Sequence, residues 1–133
     1  YLDVIEHIKN DAQEIKKAFK ALKRDGYLVI AVPAFQHLYS NFDEDINHFK
    51  RYNKRDFKKI LKQIKHKKVD LFYYDSIGYI LSLMSKFFIS DYKKNFEKKL
   101  IFWDSMIWIS KILDKIVFRL FGKSLLVIIK KTK

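Results

Sequence analysis

A continuous apolar run at residues 27–32 (Y-L-V-I-A-V) most constrains how this chain can fold. Pro33 closes the run, and such a run is typical of a strand that is buried on both faces of a parallel sheet. A helix is predicted just before it, beginning at Asn10 or Asp11, because apolar residues there repeat at helical spacing. Gly26 is expected to end that helix. A helix joined to a buried strand by a short glycine turn predicts an α/β fold.

The rest of the chain continues this alternation of helices and strands. Residues 34–52 lack periodicity and are predicted to form a long loop, of a kind that is usually functional or disordered. Beyond it the predicted elements are, in order, a helix after Asn53, a strand at 69–74, two helices over about 76–121 with a polar break near 90–94, and a strand at 124–129. This order predicts the second half of a doubly wound sheet. Since half a sheet leaves an apolar edge unpaired, we expect a preceding segment or self-association to cover it.

The composition excludes several kinds of site. The chain has 133 residues, which suits one domain, and its lack of cysteine excludes disulfides, thiolate zinc sites and cysteine nucleophiles. Its 3 glycines lie too far apart to form a phosphate-binding loop. No stretch reaches the roughly 20 predominantly apolar residues of a membrane-spanning helix, and the start shows no signal-peptide pattern. We therefore expect one partial domain, residues 1–133, of a longer cytoplasmic protein.

Three segments carry a resemblance to a known family. They are L-D-V-I-E-H-I at residues 2–8, G-Y-L-V-I-A-V-P-A-F at 26–35 and H-F-K-R-Y-N-K-R-D-F at 48–57. In their order and spacing they resemble the C-terminal half of class I S-adenosylmethionine-dependent methyltransferases, specifically the bacterial methyltransferase domains of type 11 or 12. The resemblance implies an α/β fold, the second half of a doubly wound Rossmann-like methyltransferase sheet, with an inserted helical lid at about 76–121. The family's glycine-rich cofactor loop is absent from this chain.

The resemblance also implies a cofactor and the residues beside it. S-adenosylmethionine would be the cofactor, with Leu2, Asp3, Val4 and His7 near its methionine end, and its methyl group would pass to a small-molecule, lipid-like or saccharide-like acceptor. A strand is also expected at the start of the chain, and Glu6 and His7 follow its carboxyl end. The alternative role of these two residues is only to begin a helix. No metal is expected, because His7 is not part of an H-E-x-x-H motif.

Polar residues of the long loop are candidates for contact with the methyl acceptor. His48 and His37 are the candidate catalytic residues, because histidine can act as a base toward a hydroxyl acceptor near neutral pH. The candidate substrate-binding residues are Tyr39, Asp43, Arg51 and Tyr52. Arg51 could pair with an anionic substrate group or anchor the loop to Asp43 or Asp45. A structural role in a surface loop is the alternative for both histidines.

A net charge of +13 supports a second hypothesis, a non-catalytic basic module that binds an anionic membrane or nucleic acid. Lysine-rich runs at 58–68 and 93–99 could contact phosphates, although a solvated helix face is their more frequent role and nucleic acid is the less expected partner. The apolar stripe at 103–121 is expected to be core, with contact at a membrane surface as the alternative. A third hypothesis is a truncated, inactive remnant of the same fold.

Overall fold

The computed structural model describes residues 1–88, 96–117 and 119–132. Its helices are α1 (Asp11–Ala21), α2 (Asn41–Asp45), α3 (Lys54–Leu61), α4 (Ser76–Phe88) and α5 (Phe96–Ile116), and its strands are β1 (Tyr27–Pro33), β2 (His66–Tyr74) and β3 (Ser124–Lys131). Two short 3-10 turns, Ile5–His7 and Gln36–Leu38, complete the described elements. The α/β prediction is confirmed. The polar break predicted near 90–94 lies outside the described residues.

The three strands form one sheet in which β3 lies between β1 and β2 and runs antiparallel to both. The expectation of parallel pairing is therefore wrong for these strands. The reason lies in the return of the chain from α5, where Lys123 N donates to Asp75 O (3.0 Å) and Ser124 pairs with Tyr74. Because β3 starts beside the end of β2, it runs back along that strand. β1 and β2 share one direction but do not touch as neighbours.

Residues 1–3 follow the outer edge of β1. Leu2 forms a parallel bridge with Ala31, Asp3 N donates to Ala31 O (3.0 Å), and Ala31 N donates to Tyr1 O (2.9 Å). The strand expected at the start of the chain is thus a single bridge. These contacts place the start of the chain next to the carboxyl half of β1.

One hydrophobic core joins the sheet to α1, α3 and the turn Ile5–His7. Its fully buried members include Ile15, Phe57, Ile30, Val32, Leu125, Val127 and Ile129. The helix predicted after Asn53 is confirmed, and its first turn is closed by a capping box in which Asn53 N donates to Asp56 Oδ2 (2.8 Å). Helix α1 ends at Ala21, so the prediction that Gly26 ends it is wrong. Asp25, at φ 59°, makes the left-handed turn into β1 instead.

Helices α4 and α5 pack on each other and are tied to the sheet by one buried carboxylate. Asp114 Oδ2 accepts from Asp75 N (2.9 Å), and Asp114 Oδ1 accepts from Ser76 N (2.8 Å) and from Ser76 Oγ. These bonds satisfy backbone donors at the start of α4. Gly122 lies beyond the end of α5, and a Cβ there would lie 2.1 Å from Tyr74 O. Gly122 therefore permits close approach of the backbone to Tyr74.

The apolar stripe of α5 is largely exposed. Trp108, Ile116 and Leu120 are 63%, 65% and 68% exposed, so the expectation that this stripe is core is wrong for them. Apolar residues surround much of the helix, whereas the contacts of α5 within the described chain are chiefly with α4 and β2. The side chain of Trp103, part of the same stripe, lies outside the description. In the described ranges, no helix combines the length and apolarity needed to cross a membrane.

Candidate functional site

Two segments meet near the carboxyl end of β1: the turn Ile5–His7 and the loop that follows β1. Tyr52 N donates to Pro33 O (2.9 Å) and Phe35 N donates to Tyr52 O (3.0 Å), which fastens the far end of the loop to the end of the strand. Phe49 N donates to Glu6 O (2.8 Å), which joins the loop to the turn. The backbone of the loop thereby brings its polar side chains against those of the turn.

A buried ion pair holds this loop in shape. Arg51 Nε and Nη2 donate to Asp43 Oδ1 and Oδ2, each at 2.9 Å, and both side chains are almost completely buried. Ser40 N also donates to Asp43 Oδ2 (3.0 Å), closing the first turn of α2. Burial acts to raise the pKa of Asp43, but the hydrogen bonds and charge of Arg51, with a further bond from His48, hold that pKa below its usual value. Arg51 therefore anchors the loop to Asp43, one of the two alternatives considered.

His48 lies between Asp43 and the turn. Its Nδ1 is 2.9 Å from Asp43 Oδ1, and because a carboxylate oxygen can only accept, Nδ1 carries a hydrogen, which in the neutral ring leaves the lone pair on Nε2. His48 Nε2 lies 3.8 Å from Glu6 Oε1. The rings of His48 and His7 meet edge to face with centroids 4.6 Å apart, and His7 Nδ1 lies 3.2 Å from Asn47 O. Two imidazoles and one carboxylate thus share a small space.

Two tyrosines of the predicted site have structural contacts. Tyr39 donates its hydroxyl hydrogen to His48 O (2.6 Å), which steadies the loop at the histidine. Tyr52 is completely buried, and its hydroxyl donates to Asp11 Oδ2 (2.9 Å), which Lys50 Nζ also approaches (2.7 Å). Burial, together with the Asp11 carboxylate, raises the pKa of Tyr52 and keeps it neutral. The side chain of Tyr52 therefore belongs to the core, and its contact with a substrate stays a prediction.

His37 lies apart from this group. Its Nε2 is 3.2 Å from Tyr79 Oη, and its ring is 5.3 Å from that of Phe35. Phe35 has a left-handed backbone (φ 61°) and stacks on Tyr73 with ring centroids 4.5 Å apart. The structure therefore places the two candidate catalytic histidines in different surroundings, His48 with carboxylates and His37 with aromatic rings.

The predicted cofactor residues lie along the edge of β1, leading into the turn that carries His7. Leu2 and Val4 are 66% and 41% exposed, and Asp3 between them is also exposed. Asp3 has φ 51°, a left-handed conformation that aspartate tolerates better than most residues. The edge therefore presents apolar surface and a carboxylate beside the two clustered histidines.

From the sequence, Glu6 is expected only near the cofactor or at the start of a helix, and Asp11 only at the start of a helix. Glu6 is completely buried, and burial raises its pKa despite the opposing influence of the neighbouring histidines. The available signal was a charged residue inside the apolar stretch V-I-E-H-I, a position where a carboxylate needs a specific partner. Asp11 is fully explained in the sequence by its place at the start of α1, so no further role is indicated there. The contact of Asp11 with Tyr52 depends on the tertiary fold.

No model of a known protein family matches the sequence, and no curated protein does. Solved structures do match. Over 99% of its length the chain resembles 32% of phosphoethanolamine N-methyltransferase 2 from Haemonchus contortus in complex with S-adenosyl-L-methionine, at a TM-score of 0.55 and 15% identity. The same enzyme in complex with phosphomonomethylethanolamine and S-adenosylhomocysteine gives a TM-score of 0.56 at 16% identity over the same shares. The chain shares the fold of one part of this enzyme.

This likeness supports the expected class I methyltransferase fold. It concerns the fold alone, because the identity is low. The chain spans 32% of the length of the matched enzymes and so corresponds to one part of them.

Proposed function

We propose that this chain is part of a class I methyltransferase that transfers a methyl group from S-adenosylmethionine to a small-molecule acceptor. The observation that carries the proposal is the shared fold, which extends over 99% of the chain and matches enzymes solved with this cofactor and with its demethylated product. We assign it to the bacterial type 11 or 12 group on the three sequence segments, as one partial domain (1–133) whose helices at 76–121 form a lid. We place it in the cytoplasm.

The edge formed by Leu2, Asp3 and Val4 fits one wall of the cofactor pocket. When bound, the cofactor supplies a methyl group on a positively charged sulfur. The exposed apolar side chains of Leu2 and Val4 offer surface for its nonpolar parts, and the carboxylate of Asp3 favours its positive charges. The backbone of this edge is held to β1 by the bonds at Ala31, so the wall is fixed before a ligand arrives.

On the acceptor side, His48 is our proposed base. Its lone pair is on Nε2, and Asp43, itself held by Arg51, fixes the ring through Nδ1. Tyr39 holds the backbone carbonyl of the same residue. In this proposal Asp43, Arg51 and Tyr39 position His48. His37 is proposed to contact the acceptor from the neighbouring aromatic group.

The first experiment is a thermal-shift titration with S-adenosylmethionine and S-adenosylhomocysteine in the presence of EDTA. A ligand that binds only the folded state raises the melting temperature in a saturable way. Asp3→Asn is expected to reduce the shift, whereas the matched control Asp25→Asn, which changes another left-handed aspartate, is expected to leave it unchanged. A shift confined to a longer natural form of the chain also supports the proposal. Absence of a shift in both forms would refute it.

The acceptor is tested by methyl transfer in whichever form binds the cofactor. Screening begins with phosphoethanolamine and phosphomonomethylethanolamine, the chemistry named for the matched enzyme. Loss of a general base typically slows turnover by about 10²- to 10⁴-fold, so His48→Ala is expected to fall in that range. His66→Ala, at an exposed histidine outside the site, is the control. Unchanged turnover in His48→Ala would remove His48 from the mechanism.

We also propose a second candidate function, contact of α5 with an anionic membrane surface. The exposed stripe of α5 presents Trp108 and Ile112 beside the exposed cations Lys111 and Lys115. Apolar side chains interleaved with basic ones are the pattern of helices that lie in a membrane interface, and the net charge of +13 favours anionic lipid. This surface would hold the enzyme near a lipid-like acceptor.

Co-sedimentation with phosphatidylglycerol-containing vesicles tests this contact, with phosphatidylcholine vesicles as the comparison. We expect salt-sensitive binding to the anionic vesicles that Trp108→Asp weakens and Phe49→Asp, at an exposed aromatic residue outside α5, does not. Equal binding by both variants would contradict the assignment. So would self-association that buries this face, or binding to RNA in place of the vesicles.

A further inference from the structure

The Glu6 carboxylate lies beside the side chains of His7 and His48, with which it forms one cluster. It is completely buried, and neither of its oxygens receives a hydrogen bond from any described residue. Burying an ionised carboxylate without a partner costs several kcal/mol, and buried carboxylates are accordingly paired or bound to a metal. The nearest cationic candidate, His48 Nε2, lies 3.8 Å from Glu6 Oε1, beyond hydrogen-bond distance.

The two neighbouring histidines are oriented as metal ligands usually are. His48 Nδ1 donates to the Asp43 carboxylate at 2.9 Å, and His7 Nδ1 donates to Asn47 O at 3.2 Å. Each oxygen can only accept, so each Nδ1 carries a hydrogen, and the neutral form of each ring has its lone pair on Nε2, the atom available to a metal. A histidine that binds a metal almost always donates its other ring hydrogen to a carboxylate or a backbone carbonyl. Both arrangements occur here, on adjacent rings.

The separations and charges agree with a bound cation. One ligand atom each from Glu6, His7 and His48 lies within 4.8 Å of the others. The charge of Asp43 is neutralised by its bidentate pair with Arg51, whereas the Glu6 carboxylate receives no hydrogen bond from the described residues. A buried carboxylate at the centre of this cluster does not suit a phosphate or another anion.

We propose that Glu6, His7 and His48 bind a divalent first-row transition-metal ion, with Zn²⁺ as the leading candidate. Two imidazole nitrogens and one carboxylate oxygen form a donor set that zinc and its neighbours accept, and three protein ligands leave a fourth position open for water or substrate. Asp43 and the carbonyl of Asn47 act as the outer partners that orient the rings. The sequence did not suggest the site, because Glu6 and His7 are adjacent and His48 comes from a distant loop.

The inference goes beyond the proposed methyltransferase function and does not depend on it. It also constrains that function, because an ion on His48 Nε2 would occupy the lone pair that the proposed base needs. A metal-bound chain and a chain with His48 as a free base are therefore different states. Added Zn²⁺ is expected to abolish any part of turnover that depends on His48 as a base.

The test is metal binding by the 133-residue chain after removal of metals with EDTA and gel filtration. Co²⁺ is titrated as a spectroscopic probe, and Zn²⁺ affinity is measured by displacement of Co²⁺. We expect one ion per chain, with the intense visible absorption that is typical of Co²⁺ at a low coordination number. Glu6→Gln, which preserves shape, and His7→Ala, at an exposed side chain, are each expected to weaken binding at least about tenfold.

The matched control is His66→Ala. His66 is exposed, and its Nδ1 also lies beside a backbone carbonyl, that of Ile64 at 2.9 Å, so it offers a free Nε2 without a cluster. This variant is expected to bind the ions as the unchanged chain does. The inference is overturned if Glu6→Gln binds Co²⁺ as tightly as the unchanged chain, if His66→Ala loses the ion, or if no Co²⁺ band appears. Failure here leaves the cofactor titration in EDTA unaffected, so the two proposals fail separately.

Discussion

Replacing Asp43 with alanine is expected to remove the central acceptor of the loop that follows β1. Asp43 accepts from Arg51 Nε and Nη2, from His48 Nδ1 and from the backbone and hydroxyl of Ser40, all within 3.1 Å. The variant leaves the Arg51 guanidinium buried without its counterion, and Arg51 Nη1 already finds no hydrogen-bond acceptor among the described residues. Breaking one side of a buried pair costs about 3–5 kcal/mol.

Urea unfolding and thermal unfolding, both followed by circular dichroism, measure this loss. For a chain of this size, such a cost lowers the melting temperature by about 10–20 °C. The slope of the unfolding free energy against urea concentration should not change. Glu44→Ala, an exposed neighbour on α2, is the control and is expected to cost under about 0.5 kcal/mol.

A double variant separates the pair from the site. Asp43→Ala combined with Arg51→Met removes both charges. Its loss of unfolding free energy is therefore expected to be smaller than the sum of the losses in the two single variants. A loss below about 1 kcal/mol in Asp43→Ala, or strict additivity in the double variant, would refute the claim that the buried pair organises the loop.

The remaining predictions concern pH and backbone packing. Because folding lowers the pKa of Asp43, its contribution is complete above the ordinary carboxyl pKa of about 4 and is lost as the pH falls through the lower folded value. The difference in unfolding free energy between the unchanged chain and Asp43→Ala should therefore shrink between about pH 5 and pH 2, and a constant difference would count against it. Glu6 has the opposite sign, since burial raises its pKa: in EDTA, Glu6→Gln should raise the melting temperature near pH 7 but not near pH 3, and equal effects at both would contradict the burial argument. Gly122→Ala should cost about 3 kcal/mol in urea unfolding, because the new Cβ meets backbone of Tyr74, whereas Gly26→Ala, with a 2.8 Å approach, should cost less; the reverse order would show that the strand end can move aside.

Local features of the chain were predictable where neighbouring residues determine them. The run at 27–32 and its closing proline became β1, and the pairing of Asn53 with Asp56 began α3. Helix α4 starts at Ser76, one of the two predicted start positions, Asp75 and Ser76. In each case the backbone choice depends on side chains a few residues apart, which is the range over which sequence periodicity and caps act.

The arrangement of the strands and the exposure of α5 were not predictable in this way. An apolar run has the same appearance in a parallel and an antiparallel sheet when both faces are covered, so the direction of β3 came from where it starts, beside Tyr74. Trp108 is exposed because α5 has more apolar surface than its contacts with the described chain can bury.

The α/β elements, the basic character and the segments that resemble a methyltransferase can all be read from the amino-acid sequence. The folded structure was needed to show that Glu6 and His7 meet His48, that Arg51 is paired with Asp43, and that Tyr52 belongs to the core. These contacts join residues that lie far apart in the chain. Their energies depend on burial and on fixed distances, and neither exists until the loop closes onto the turn Ile5–His7.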